Sequence, residues 1–142
     1  MNNINTYLIF NGNCRQAMEF YKQCLGGQLF VTSYSDMPEI CKDLPKEAKD
    51  WIMHARLTIQ SLILMASDTR PGMPVTQGNN FFVSLNCSSV EEVDKLFKAL
   101  SIKGNVEMAP QETFWATRFS MLTDQFGIKW MLNLDKPMKK GA

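Results

Sequence analysis

One histidine, a few strand arginines and a scatter of methionines bound the chemistry open to this 142-residue chain. His54 and Arg56 lie in WIMHARLTI and Arg118 in TRFSMLT, two runs rich in apolar and β-forming residues. Imidazole titrates near neutrality, so His54, the only histidine, is the candidate general acid or base; the same ring hydrogen-bonded within a strand is purely structural. Arg56 and Arg118 suit a carboxylate or phosphate, or else pair with an acid such as Glu107 or Glu112. Cys14, Cys24, Cys41 and Cys87 contain no C-x-x-C pair, and no histidine lies near Cys87 in the sequence to activate it. They read as buried thiols, which excludes a zinc framework and a disulfide scaffold.

Those side chains are positioned by two hairpins. Thr117 to Thr123 and Ile128 to Leu134 flank Asp124-Gln125-Phe126-Gly127, where Gly127 can supply a positive φ. Upstream, Trp51 to Ile59 and Leu62 to Ser67 flank Gln60-Ser61. A two-residue loop opposes Ile59 to Leu62, so His54 faces Ser67 and Arg56 faces Met65. The same count in the second hairpin sets Arg118 opposite Asn133 and Ser120 opposite Met131. Leu57, Ile59, Trp130 and Leu132 then turn toward the helices. His54 and Arg118 are 64 residues apart and Met65 and Met131 are 66 apart, as expected of a duplicated unit.

The rest of the chain repeats with the hairpins. Thr6 to Phe10 is a strand; Asn13 with Gln16 reads as a capping box, and Cys14, Ala17, Met18, Tyr21, Cys24 and Leu25 form a helical stripe that Gly26-Gly27 ends. Gln28 to Tyr34 is the next strand, and Asp36 to Lys49 an inserted loop with room for one helical turn. After the proline- and glycine-bearing connector Asp68 to Asn79, Asn80 to Cys87 is again a strand. Ser88 or Ser89 with Glu91 or Glu92 caps a second helix striped by Val90, Val93, Leu96, Phe97 and Leu100. A shift of 75 superposes Asn11 on Asn86, Met18 on Val93 and Leu25 on Leu100.

Composition narrows the function classes. With 15 basic and 14 acidic residues, the net charge of +1 offers nucleic acid or anionic lipid no electrostatic footprint. Lys136 to Lys140 reads as a solvated tail. The start, MNNIN, lacks a signal-peptide pattern and no apolar run approaches the ~20 residues of a membrane span, so the expectation is a cytoplasmic protein.

The tandem βαβββ pattern, with FNGNCRQAMEFYKQCLGG, MHARLTIQSLILMASD, GNNFFVSLN and QETFWATRFSMLTDQFGIKWM in order, resembles the vicinal oxygen chelate superfamily of glyoxalase I, bleomycin resistance proteins and extradiol dioxygenases. Within it the motifs look like the PhnB-like branch, often labelled a 3-demethylubiquinone-9 3-methyltransferase domain. The resemblance implies a single α+β domain of curled mixed sheets around a cavity, helices outside, commonly in a homodimer. Its parts would be module 1 at about 4–68, a linker at 69–79, module 2 at about 80–135 and a tail at 136–142.

Metal-dependent relatives place His, Glu or Gln ligands on the first and last strands of each module. The matching positions here are Thr6, Met65, Phe81 and Met131, which cannot hold a hard divalent ion, so no metal and no metal-dependent glyoxalase chemistry is expected. The one Gly-Gly ends a helix instead of following a parallel strand, which argues against a nucleotide-type cofactor turn and S-adenosylmethionine methyl transfer. No cofactor is expected.

With Met65 at a cavity position, the resemblance turns His54, Arg56, Met65, Ser67, Phe81, Arg118, Ser120, Met131 and Asn133 inward. Gln111, Phe114 and Trp115 would form a rim that stacks on a planar ligand; Trp115 as core or dimer interface is the plainer reading. The methionines are adaptable filling in either case. The function this supports is binding of a small, partly polar organic molecule without a metal, as bleomycin resistance relatives do. The alternative is a lyase, isomerase or hydrolase with His54 as general acid or base and an arginine on an oxyanion. A purely structural partner role has no sequence feature behind it.

Overall fold

The computed structural model describes residues 1–137, with the side chains of Ile40 and Cys41 set aside. The tail expected at 136–142 thus falls mostly outside the described residues, as does the thiol of Cys41. The chain divides into two compact units, Met1–Thr76 and the remainder from Gln77.

The first unit runs β1 (Thr6–Phe10), α1 (Cys14–Leu25), β2 (Gln28–Ser33), β3 (Ile52–Ile59) and β4 (Leu62–Asp68). Its four strands form one open mixed sheet ordered β1-β4-β3-β2, with β1 parallel to β4. The segment between β2 and β3 holds a 3₁₀ turn at Tyr34–Asp36, one helical turn, α2 (Pro38–Cys41), and a second 3₁₀ turn at Lys46–Ala48, in keeping with an inserted loop. α1 packs on β2, β3 and β4, burying Cys14, Ala17, Met18 and Tyr21 against the face that carries Ala55, Leu57, Leu64 and Ala66.

The start of α1 is held differently from the capping box expected of Asn13 and Gln16. Asn13 makes no side-chain cap bond. The buried carboxylate of Asp68, at the end of β4, accepts Gly12 N–H at 2.8 Å and Cys14 N–H at 3.0 Å through Oδ1, and Ile52 N–H at 2.8 Å through Oδ2. A carboxylate takes several donors at once and suits the positive end of a helix, so one residue from β4 ties the β1–α1 turn to the start of β3. At the other end Gly26, with φ of 80°, donates its N–H to Lys22 O at 2.8 Å as the glycine pair implies. Gly27 cannot be replaced freely, because an added Cβ would strike the Thr58 carbonyl.

The second unit runs β5 (Val83–Asn86), α3 (Val90–Leu100), β6 (Asn105–Gln111), β7 (Ala116–Thr123) and β8 (Lys129–Asp135). Its sheet is ordered β5-β8-β7-β6 with β5 parallel to β8, the same plan as the first. β5 is shorter than the expected 80–87, and β6 is the strand the repeat requires between helix and hairpin. The second cap is Ser89: its hydroxyl accepts Glu92 N–H at 3.1 Å, while the Glu92 carboxylate accepts Ser88 N–H at 2.9 Å.

The hairpins differ in one respect that matters. In β3–β4, Ile59 opposes Leu62 and Arg56 opposes Met65, as the two-residue loop dictates. In β7–β8, Asp124 N–H already bonds Ile128 O at 2.8 Å, leaving three residues in the loop, with Gly127 at φ of 88°. The register is therefore Arg118 to Leu134 and Ser120 to Leu132, in place of Asn133 and Met131. A slip of one residue carries every side chain of a strand to the other face. Arg118, Ser120 and Leu122 join Trp130 and Leu132 on the helix side, and Phe119 and Met121 take the open side.

Candidate functional site

On the first sheet, strand pairing aligns four side chains on the face away from α1. Tyr7 lies beside Met65, Met65 beside Arg56, and Arg56 beside Phe30 of the edge strand β2. A second row sets Ile9 beside Ser67 and Thr32 beside His54, two residues from Arg56 on β3. Phe30 is 60% exposed and Tyr7 and Ile9 are about half exposed, while Ser67 is buried. The face thus offers apolar surface interrupted by directed polar groups, the usual composition of a small-molecule site.

Two polar features stand out. The Tyr7 hydroxyl lies 3.2 Å from His54 Nδ1, with the two rings tilted at 32° and their centroids 5.8 Å apart. Arg56 is exposed, and its guanidinium makes no ion pair or hydrogen bond among the described residues. Arg118 is the opposite case. Its Nε and Nη2 donate to the two carboxylate oxygens of Asp94 on α3, each at 2.9 Å, a bidentate clamp between β7 and the helix. Arg118 therefore leaves the group of inward-facing residues because of the slipped register, and its charge is already matched.

On the open face of the second sheet, Met131 lies beside Met121 and Ser84, and Asn133 beside Phe119 and Asn86. Trp115 Nε1–H donates to Asn133 Oδ1 at 3.2 Å, and its ring meets Phe119 edge-on at 5.1 Å. Asn133 Nδ2 donates to Asp135 Oδ1 at 2.7 Å. Trp115 and Asn133 thus satisfy each other and shield Phe119, which is 6% exposed. Phe114, 89% exposed, meets Trp115 edge-on at 4.8 Å. Gln111 ends β6 with Nε2 on the Ala109 carbonyl at 3.3 Å, and Phe81 precedes β5, outside the strand that was to carry it.

Sequence reading missed Tyr7 and Phe30. The family resemblance implies Thr6 as the inward position of the first strand, yet parallel pairing sets Thr6 beside Leu64 on the helix side and Tyr7 beside Met65. Alternation in TYLIF allowed either phase, and only pairing with β4, more than fifty residues on, chooses between them.

The thiols of Cys14 and Cys87 are poor nucleophiles. Burial, reinforced by Asp68, pushes the Cys14 thiol up to about 12, and burial followed by Glu92 pushes Cys87 up to about 11. A cleft of about 450 Å³ lies among Gln77, Gly78, Asn79, Thr123, Gly127 and Lys129. Its ammonium is already bound to Glu107 and sits 4.9 Å over the Phe82 ring, so the cleft offers no uncommitted charge. Among the described residues no three of His, Cys, Asp or Glu gather to hold a metal ion. Thioethers at Met65 and Met131 do not replace hard ligands, so these residues do not fit the divalent ion of the metal-dependent fold relatives. Among the described residues no helix is long and apolar enough to cross a membrane.

Comparison with known proteins agrees with this fold. Protein YjdN of Escherichia coli K12 is 35% identical over 141 residues, covering 94% of this chain and 95% of that one. The crystal structure of protein PA1353 from Pseudomonas aeruginosa is 43% identical with a TM-score of 0.84, over 96% of this chain and all of the other. A Bacillus cereus PhnB protein, described as a putative 3-demethylubiquinone-9 3-methyltransferase, shares the fold with a TM-score of 0.75 at 24% identity, over 94% of this chain and 99% of that one. Residues 3–132 match the family described as Glyoxalase/Bleomycin resistance protein/Dioxygenase superfamily, and the chain belongs to that family.

Proposed function

We propose that the protein binds a small, partly polar organic molecule without a metal ion, and that the open face of the first sheet provides the polar recognition. The observation that carries this is Arg56: an exposed guanidinium with no acidic partner among the described residues, set between Met65 and Phe30. An unmatched cation beside apolar surface is suited to an organic anion, since bidentate guanidinium bonds orient a carboxylate while the aromatic edge accepts its body. Met65, Ser67 and His54 line the same face. Homodimer formation belongs to the same reading.

Native mass spectrometry of the purified protein should reveal a copurified small molecule, and Arg56→Ala should lose it with an unchanged circular dichroism spectrum. Retention of the same mass by the variant would remove Arg56 from the site. Metal analysis of protein purified without a His-tag should give substoichiometric content; one tightly held divalent ion per chain would refute the metal-free reading.

A second reading, an enzyme with His54 as general base, draws on the Tyr7 contact, which would leave Nε2 as the working atom if Nδ1 carried the proton. His54→Ala separates the two: retained affinity with lost turnover supports the enzyme, and lost affinity with no turnover in either protein supports binding.

A further inference from the structure

We infer that Tyr7 is a positioning residue that fixes His54 as a hydrogen-bond donor, so that His54 Nε2–H and the Arg56 guanidinium form one carboxylate-binding edge. The inference rests on the binding reading above and names the ligand class, a small organic carboxylate with an apolar body.

The Tyr7 hydroxyl and His54 Nδ1, 3.2 Å apart, can share a proton in two ways. A neutral imidazole has one N–H and one accepting nitrogen, and a phenol both donates and accepts. The pairing is not symmetrical, because the phenol oxygen gives part of its lone-pair density to the ring and accepts poorly, whereas an unprotonated imidazole nitrogen is a strong acceptor. The favoured arrangement is O–H donating to Nδ1. The single ring proton then sits on Nε2, and His54 meets a ligand as a donor. In that tautomer the ring has no free lone pair, and general-base chemistry at His54 is closed.

Arg56 completes the edge. It lies two residues along β3 on the same face as His54, about 7 Å away at the spacing of an extended strand. A carboxylate spans two such donors, and every group that the edge presents to it donates. The neighbouring Phe30 and Met65 are apolar, as are Ile9 and the ring of Tyr7. No carboxylate of β1, β2 or β3 stands on this face; Asp68 is the acid of β4, and it is buried with its oxygens on backbone N–H groups. The face therefore attracts an anion and has an apolar surface for the remainder of the molecule.

The chain has a single imidazole, which makes the test direct. In uniformly ¹⁵N-labelled protein at mildly alkaline pH, a long-range ¹H–¹⁵N correlation spectrum reports the His54 tautomer without overlap. The expected result is Nε2–H almost alone in the wild type, with a measurably larger share of Nδ1–H in Tyr7→Phe. Adding benzoate should move the His54 ring resonances to saturation, with apparent affinity weakened about tenfold in Arg56→Gln, roughly the loss of one charged hydrogen-bond pair. An Nδ1–H tautomer in the free wild-type protein would overturn the inference, as would benzoate shifts unaffected by Arg56→Gln. The tautomer is read without any ligand, so it is independent of the binding reading. A copurified molecule whose removal leaves the His54 resonances unmoved would instead defeat the binding reading and place the ligand elsewhere.

Discussion

The two hairpins have the same place in their units, yet the arginine on the first strand of each has opposite duties. Arg56 follows a two-residue loop register, lies beside Met65 on the open face and has no acidic partner among the described residues. Arg118 follows a three-residue loop register, lies beside Leu134 and clamps Asp94 of α3. One residue of loop length separates a group free to recognise a ligand from one that fastens a helix to its sheet. The two units share the strand plan but not the face a side chain takes, because loop parity sets the face.

The comparison extends to the aspartates that organise each unit, and this is where a substitution should cost most. Asp68 gathers three N–H groups from two distant segments, whereas Asp124 serves its own hairpin, accepting Phe126 and Ile128 N–H and the Trp130 indole N–H. Asp68→Ala strands buried donors and should destabilise the protein by about 3 kcal/mol or more in a denaturant titration. A loss below about 1 kcal/mol would mean water replaces the carboxylate without difficulty.

The loops themselves come next. Gly127→Ala forces a side chain into φ of 88° against the Gln77 side chain, and should cost about 1–2 kcal/mol. Gln60 already sits at φ of 54° in the first loop, so Gln60→Gly should be neutral or slightly stabilising. Equal responses at the two positions would break the distinction between the loops.

The arginines then divide stability from function. Arg118→Ala should cost about 1 kcal/mol, the scale of a half-exposed bidentate pair, while Arg56→Ala should leave stability within about 0.5 kcal/mol and abolish ligand retention. The reverse pattern would invert the assignment of duties.

The smallest effect concerns pH. Bonds from the Lys129 ammonium and then the Thr123 hydroxyl hold the Glu107 carboxyl below its ordinary value of 4.5. A carboxyl lowered by folding stabilises above its unfolded value, and that contribution is lost as pH falls through the folded value. The melting-temperature difference between wild type and Glu107→Gln should therefore be present near neutrality and fade below about pH 4. Because Glu107 is exposed, a shift of a degree or two is the expected scale.

Much of this was legible in the chain itself. Two helical stripes, the Gly26-Gly27 stop, a serine cap at Ser88 or Ser89 and the Gln60-Ser61 hairpin follow from local spacing and turn chemistry, and so does the shared face of His54 and Arg56. The family resemblance followed from the order of those elements. Three things were not legible: the face of Arg118, the partner of His54, and the anchor of α1. The first depended on whether Asp124 closes the second loop by bonding Ile128 or belongs to the loop, a choice between hydrogen-bond patterns that the same residues permit. The second and third depended on strands meeting across some fifty residues, which put Tyr7 beside Met65 and Asp68 beneath Gly12. Periodicity fixes how side chains alternate within one strand; which phase faces away from the helix is set by the pairing of strands, and that is a property of the folded chain.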